Sequence, residues 1–257
     1  MPEPAPKKSL GQHWLTDPAT LTAIADAAEL HSDDTILEIG PGLGSLTSEL
    51  LARVGHVVAV EFDAELARKL SANPKLEVVH QDILQFDFTE VEAPYKIVAN
   101  IPYYLTSNLL RVLSETPNPA QLAVLLMQKE VAERVAAKPG AMSLLSVSVQ
   151  FYWQTELGRK VPAELFTPPP QVDSQVLILR YRTQPLFPDV DEKKFFHLVK
   201  AGFAQRRKTL LNSLSSGLHL SRQETIDLCA AANIDPARRA QTLSLEEWHQ
   251  LYLAHNT

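Results

Sequence analysis

Between residues 20 and 137 the sequence alternates short apolar runs with longer segments of helical periodicity, and this alternation leaves few folds open. Thr35–Ile39, His56–Glu61, Leu76–Val79, Lys96–Ala99 and Leu122–Met127 read as five buried strands. Leu21–Leu30, Leu46–Val54, Asp63–Leu70, Ser107–Leu113 and Lys129–Ala137 read as helices. Ser45 is the expected cap of the second helix and Gly55 its expected end. Strands alternating with helices of this length predict an α/β fold with a Rossmann-like parallel sheet and helices on both faces.

After Lys138-Pro-Gly the pattern changes. Leu145–Tyr152 and Val176–Tyr181 read as two strands with no helix between them, expected as an antiparallel pair at the sheet edge. Their connection carries the extended segment Phe166-Thr-Pro-Pro-Pro170. The polar, proline-bearing stretch Thr183–Pro188 puts a boundary near residue 184. Beyond it only helical patterns follow: Glu192–Gln205, Lys208–Gly217, Arg222–Ala232 and Leu245–Ala254. The expected organisation is an α/β domain over residues 1–184, its first eight residues a disordered leader, and a small all-α domain over 185–257.

Composition narrows the function classes. With 257 residues, 45% hydrophobic and 21% charged, the chain can bury a sizeable core. No apolar run approaches the roughly 18 residues of a membrane helix, and the N-terminus lacks the apolar stretch of a secretory signal. A cytoplasmic protein with no membrane partner is expected. The single cysteine, Cys229, allows neither an internal disulfide nor a thiolate metal site, and it sits in a helical pattern as a small core residue. The net charge of −6 argues against nucleic acid as a partner. Its distribution softens that objection. Residues 185–257 carry nine basic and eight acidic side chains, with Lys200, Arg206, Arg207 and Lys208 close together. Taken alone, this basic run reads as a solvated helix face.

Four features carry the chemistry. Gly40-x-Gly42-x-Gly44 follows a strand and opens a helix, so backbone can approach a ligand closely. The spacing lacks the G-x-G-x-x-G of dinucleotide sites, so a nicotinamide cofactor is the poorer fit. Glu61, 21 residues after Gly40, ends the second strand, where an acid commonly takes ribose hydroxyls. Asp82 closes the third strand and suits either a loop cap or an adenine amine. Asn100-Ile101-Pro102-Tyr103 ends the fourth. Its proline stiffens the turn. The amide oxygen and a carbonyl can accept the two hydrogens of an exocyclic amine, while the ring stacks on a base. Taken alone, the tetrapeptide is equally an Asx-type turn. Glu61, Asp82 and Asn100, ending consecutive strands, would meet at the carboxyl edge of the sheet.

A longer set of motifs resembles one family. Lys8-Ser-Leu-Gly-Gln-His-Trp-Leu15, Leu37-Glu-Ile-Gly-Pro-Gly-Leu-Gly44, Val60-Glu61, Gln81-Asp82, Asn100-Ile-Pro-Tyr103, Gln128-Lys-Glu-Val131, Phe166-Thr-Pro-Pro-Pro-Gln-Val-Asp-Ser174 and Phe203-Ala-Gln-Arg-Arg-Lys-Thr209 occur in order along nearly the whole chain. In this the chain resembles the S-adenosylmethionine-dependent rRNA adenine N6,N6-dimethyltransferases of the KsgA/RsmA type. The resemblance implies a class I methyltransferase domain over 1–184 and an RNA- or ribosome-binding helical domain over 185–257. It implies that Gln12, His13 and Leu15 close over the methionine part of S-adenosylmethionine and that Gly40 and Gly42 approach it. Glu61 would hold the ribose and Asp82 the adenine. Asn100, Pro102 and Tyr103 would form the target-base site, with Asn100 also bordering the cofactor, and Phe166 would stack on the base. Arg206, Arg207 and Lys208, on a helix, would meet rRNA phosphates. Where the family usually has Asn and Phe, this chain has His13 and Trp14; where relatives often carry Gly-Arg, it has Ser143-Leu144.

The implied reaction is transfer of methyl groups to N6 of two adjacent adenosines in 16S rRNA, within the small ribosomal subunit or its precursor. The enzyme is expected to act as a monomer and to need no metal. Its base-gripping turn works by positioning and electrostatics. Two other readings are a 23S rRNA adenine N6-methyltransferase of the macrolide-resistance type and an assembly factor that acts mainly by binding. A small-molecule methyltransferase would not need the helical domain.

Overall fold

The structure, a computed structural model, describes residues 6–7, 10–70 and 73–256. Apart from Pro6 and Lys7, the expected leader lies outside the described residues, as do Lys8 and Ser9 of the first family stretch. The chain divides into two compact units. One runs to Glu133 and resumes over Trp153–Tyr181; the other joins Arg134–Tyr152 to the residues from Arg182 onward.

The first unit is built in chain order from β1 (Trp14–Leu15), α1 (Pro18–Ala27), β2 (Thr35–Ile39), α2 (Ser45–Leu51), β3 (His56–Glu61), α3 (Ala64–Lys69), β4 (Leu76–His80), β5 (Tyr95–Asn100), α4 (Thr106–Glu115) and β6 (Leu122–Gln128). α5 (Lys129–Val135) follows β6. Seven strands form one sheet in the order β4-β3-β2-β5-β6-β9-β7, with β7 at Trp153–Val161 and β9 at Ser174–Tyr181. β4, β3, β2, β5 and β6 run parallel. β9 runs antiparallel to both β6 and β7. The chain moves outward from β2 to β4, then crosses back to place β5 on the other side of β2. This reversal opens a crevice beyond the carboxyl ends of β2 and β5, where ligands bind in open parallel sheets.

The inner parallel strands are largely apolar because helices cover both faces. Ile36, Leu37, Val57, Ala59, Ile97, Val98 and Ala123–Leu126 are all buried. β2 breaks that rule at Glu38, which is 1% exposed. The helix after the glycines differs from expectation at both ends. Gly44, at φ 81°, is the residue before the first turn and Ser45 makes no cap; only a residue free to adopt that backbone turns the chain so sharply into a helix. The helix ends at Leu51, and Arg53 and Val54 continue it as a turn.

The expected edge strand over Leu145–Tyr152 is instead a helix, α6 (Leu144–Tyr152). Its Ser and Val residues alternate as in a strand, but Ser143 and Ser146 bond reciprocally and start a helical turn. Val147 and Phe151, one turn apart, then point into the core of the second unit. The strand that pairs with β9 is β7, which alternates few apolar residues because it is the outer edge of the sheet. Arg159 and Lys160 lie on it, as charged side chains commonly do on exposed edges. A further pairing, β1 with β8 (Phe166–Thr167), places Leu15 opposite Phe166.

The second unit packs α6, α7 (Glu192–Phe203), α8 (Leu210–Leu218), α9 (Arg222–Ala231) and α10 (Leu245–Asn256) around Phe151, Phe195, Leu198 and Trp248. Cys229 belongs to this core, and burial pushes its thiol up to about 11. Arg206, Arg207 and Lys208 are not on a helix. They occupy the exposed turn between α7 and α8. The first amides of α8 explain why: Leu210 N–H bonds Arg238 O at 2.7 Å and Leu211 N–H bonds Pro236 O at 3.0 Å. The neighbouring loop takes the donors that a continuous helix would have used.

Candidate active site

A cavity of about 430 Å³ opens at the sheet's switch point, a size ordinary for a small-ligand site. Gln12, His13, Leu15, Gly40, Gly42, Glu61, Asp82, Asn100, Pro102, Tyr103 and Phe166 all line it. Arg206, Arg207 and Lys208 are not part of it.

Its floor is the glycine turn after β2. Gly40 and Gly42 have φ of 66° and 60°, a backbone that glycine adopts without strain. A Cβ on Gly42 would lie 3.6 Å from Trp14 Cδ1, so the turn is already lined on that side. Glu61, at the end of β3, accepts the Gly42 N–H at 3.1 Å and the Asp63 N–H at 2.8 Å. Burial raises the carboxyl of Glu61, and these two backbone donors oppose the rise. Asp82, beyond β4, accepts the Leu84 N–H at 3.0 Å, so the loop-cap role holds and leaves a carboxylate oxygen over.

Glu38 lies deeper. Its Oε2 is buried with no hydrogen-bond partner among the described residues, and its side chain borders the cavity. Burial pushes its carboxyl up to about 8, with the Glu61 charge adding to the rise. An orphaned acceptor beside a glycine cradle suits a ligand that brings a donor or a cation. The amino-acid end of S-adenosylmethionine carries an ammonium group, so the residues present fit that cofactor.

The N-terminal segment forms the opposite wall. Lys7 Nζ meets Asp63 Oδ2 at 2.7 Å, and the Lys7 N–H donates to Gln12 Oε1 at 2.8 Å. Burial would raise the Asp63 carboxyl, but Lys7 and the Glu65 N–H outweigh it and leave the group below its usual range. His13 Nδ1–H donates to Pro168 O at 2.7 Å, and its ring stacks on Tyr103 with centroids 5.8 Å apart. Asn100 Nδ2 donates to His13 O at 3.4 Å, which leaves Oδ1 as the amide atom for the cavity.

Sequence reasoning missed four neighbours of this site. Glu38 was signalled by an acid inside an apolar strand run. Phe62 and Tyr104, 54% and 56% exposed at the cavity wall, were signalled by aromatic rings directly after Glu61 and Tyr103. Asp63 carried no signal beyond its cap position.

Comparison with known proteins covers nearly the whole chain. A sequence model of the family described as ribosomal RNA adenine dimethylase matches residues 5–255. A ribosomal RNA small subunit methyltransferase A from Dehalococcoides mccartyi is 45% identical, over 97% of this chain and 88% of that protein. One from Listeria monocytogenes is 42% identical, over 95% of this chain and 89% of that protein. The crystal structure of the 23S rRNA methyltransferase ErmE matches with a TM-score of 0.77 at 30% identity, over 95% of this chain and all of that one. A dimethyladenosine transferase from Plasmodium falciparum matches with a TM-score of 0.79 at 26% identity, over 95% of this chain and 98% of that one.

Proposed function

The chain belongs to the ribosomal RNA adenine dimethylase family, and we propose that it dimethylates N6 of two adjacent adenosines in the 16S rRNA of the small ribosomal subunit or its precursor. Membership makes it an rRNA adenine methyltransferase, and the family and fold imply use of S-adenosylmethionine. The observation that carries the residue assignments is convergence: Glu61, Asp82 and Asn100 end or follow the parallel strands β3, β4 and β5, on both sides of β2, and border one cavity with Tyr103 and Phe166.

S-adenosylmethionine, when bound, supplies a methyl group activated by its sulfonium sulfur. In this reading Gly40 and Gly42 let backbone approach its methionine part, and Gln12, His13 and Leu15 cover that part. Glu61 accepts from the ribose hydroxyls and Asp82 from the adenine amine. Asn100 Oδ1 and a main-chain carbonyl near Ile101 or Pro102 accept the two N6 hydrogens of the target adenine. Those contacts draw the amine lone pair out of conjugation with the ring and aim it. Tyr103 and Phe166 stack on the base and exclude water. Removing such preorganised contacts typically slows a reaction by about 10²–10³. Arg206, Arg207 and Lys208 bind rRNA phosphates. In this reading the enzyme acts as a monomer, in the cytoplasm where subunits are assembled.

Among the described residues no helix is long and apolar enough to cross a membrane, and no cluster of three or more His, Cys, Asp or Glu side chains could hold a metal ion. The small-subunit substrate is favoured over the large because relatives at 45% identity are named for the small subunit, whereas the 23S enzyme matches at 30%. The test is labelled methyl transfer to undermethylated small subunits, followed by mass spectrometry of the rRNA. Dimethyladenosine in 16S rRNA is expected; product confined to large-subunit RNA overturns the assignment.

A further inference from the structure

The hydroxyl of Tyr103 lies 2.8 Å from the Oγ of Ser174. Tyr103 begins a single 3-10 turn (Tyr103–Leu105) immediately after the Pro102 that stiffens the end of β5. That turn holds its own side chains loosely: none of its three residues is buried. Ser174 is the opposite kind of residue. It is fully buried as the first residue of β9, paired in register with Gln128 of β6 on one side and Val161 of β7 on the other. A hydroxyl set between two strands moves little, so the bond ties a half-exposed ring to a buried position paired on both sides in the sheet.

The chain just before Ser174 is tied down as well. Asp173 accepts the Ala163 N–H at 3.0 Å through Oδ1 and the Lys129 N–H at 3.0 Å through its carbonyl. Pro168 holds the His13 ring, and Phe166 faces Leu15. The stretch from Phe166 to Ser174 therefore carries Phe166 and supports Tyr103, two of the aromatic rings that border the cavity.

We propose that Ser174 is a positioning residue that sets how many methyl groups the enzyme adds, by fixing the Tyr103 ring for the second transfer. This rests on the adenine-methylation reading above. In each transfer the amine nitrogen forms one N–C bond with its lone pair. The donor's S–C bond breaks with its pair returning to sulfur, and one amine proton leaves to solvent. Before the first transfer the amine has two hydrogens for two acceptors, so hydrogen bonds and stacking both orient it. After the first transfer only one hydrogen remains. Orientation then falls more heavily on the stack, and the stack is only as well placed as the Tyr103 ring. Loss of the Ser174 tether slows the second step more than the first.

The measurement is the time course of N6-monomethyl- and N6,N6-dimethyladenosine on undermethylated small subunits, read by mass spectrometry. Ser174→Ala is expected to slow the second step about five- to tenfold relative to the first, the size of one net hydrogen bond, so that monomethyladenosine accumulates. Tyr103→Phe keeps the ring and deletes the same bond from the other side, so it is expected to give the same product shift even if Ser174→Ala folds poorly. The double variant is expected to match either single one. Equal slowing of both steps, or effects that add in the double variant, would overturn the inference. If the wild-type protein itself makes no methylated adenosine, the function reading fails instead, and that outcome is distinct from any shift in product ratio.

Discussion

Asn100 donates Nδ2 to the carbonyl of His13 and keeps Oδ1 for the cavity, so one amide both pins the N-terminal segment and borders the cavity. Replacing it by alanine is expected to lower methyl transfer by about 10²–10³. Cofactor affinity should change far less, because Glu61 and Asp82 remain; calorimetric titration and single-turnover rates separate the two. Turnover near the wild-type rate would refute the role. Asn100 was legible from its place after a strand and before a proline. Glu38 was signalled only as an acid within an apolar run; its charge state depends on burial, which no local pattern reports. An unfolded Glu38 titrates near the ordinary 4.5, and the folded one at about 8. Between those values the folded chain holds a proton that the unfolded chain has released, so stability falls as pH rises through that window. Below it both states are protonated and the effect vanishes. Glu38→Gln, neutral at every pH, is therefore expected to melt several degrees above the wild-type protein at pH 8 and close to it at pH 4.5, both without cofactor. A gap that does not widen with pH would show that Glu38 is solvated.

The stretch from Leu145 to Val161 shows how elements escape local reading. Ser-Val-Ser-Val has the period of a strand, yet the serines start a turn and Val147 and Phe151 bury on one helical face. The strand that follows, β7, is polar because it has a neighbour on one side only. Two-residue strands such as β1 and β8 carry no periodicity at all and exist because they meet each other. Helix contacts follow the same logic. Gly217 lies within α8, where glycine-to-alanine exchange ordinarily stabilises by about 0.5–1 kcal/mol. Here a Cβ would sit 2.6 Å from Ala201 Cβ and 2.7 Å from its Cα on α7. Backbone, not a flexible tip, is in the way, so overpacking of about 1–3 kcal/mol reverses the sign. Gly217→Ala is expected to lower the urea midpoint; a higher midpoint would mean that α7 and α8 separate freely.

At the scale of the whole chain, a net charge of −6 coexists with the exposed turn Arg206-Arg207-Lys208 between α7 and α8. If that turn binds phosphates, replacing all three residues with alanine is expected to raise KM for the small subunit and to flatten the dependence of KM on salt. The rate at saturating substrate should persist. An unchanged salt slope would remove the turn from the interface. What the sequence determined by itself was the order of strands and helices in the parallel half of the sheet, the glycine turn after β2, and the acids and amide at strand ends. These follow from periodicity and from backbone limits on glycine and proline, which act within a few residues. The tertiary structure decided the rest: the helix at Leu144–Tyr152, the loop setting of the basic run, the charge state of Glu38, and the tie from Tyr103 to Ser174. Each depends on what lies across space, and burial, strand partners and competing donors come from residues tens of positions away.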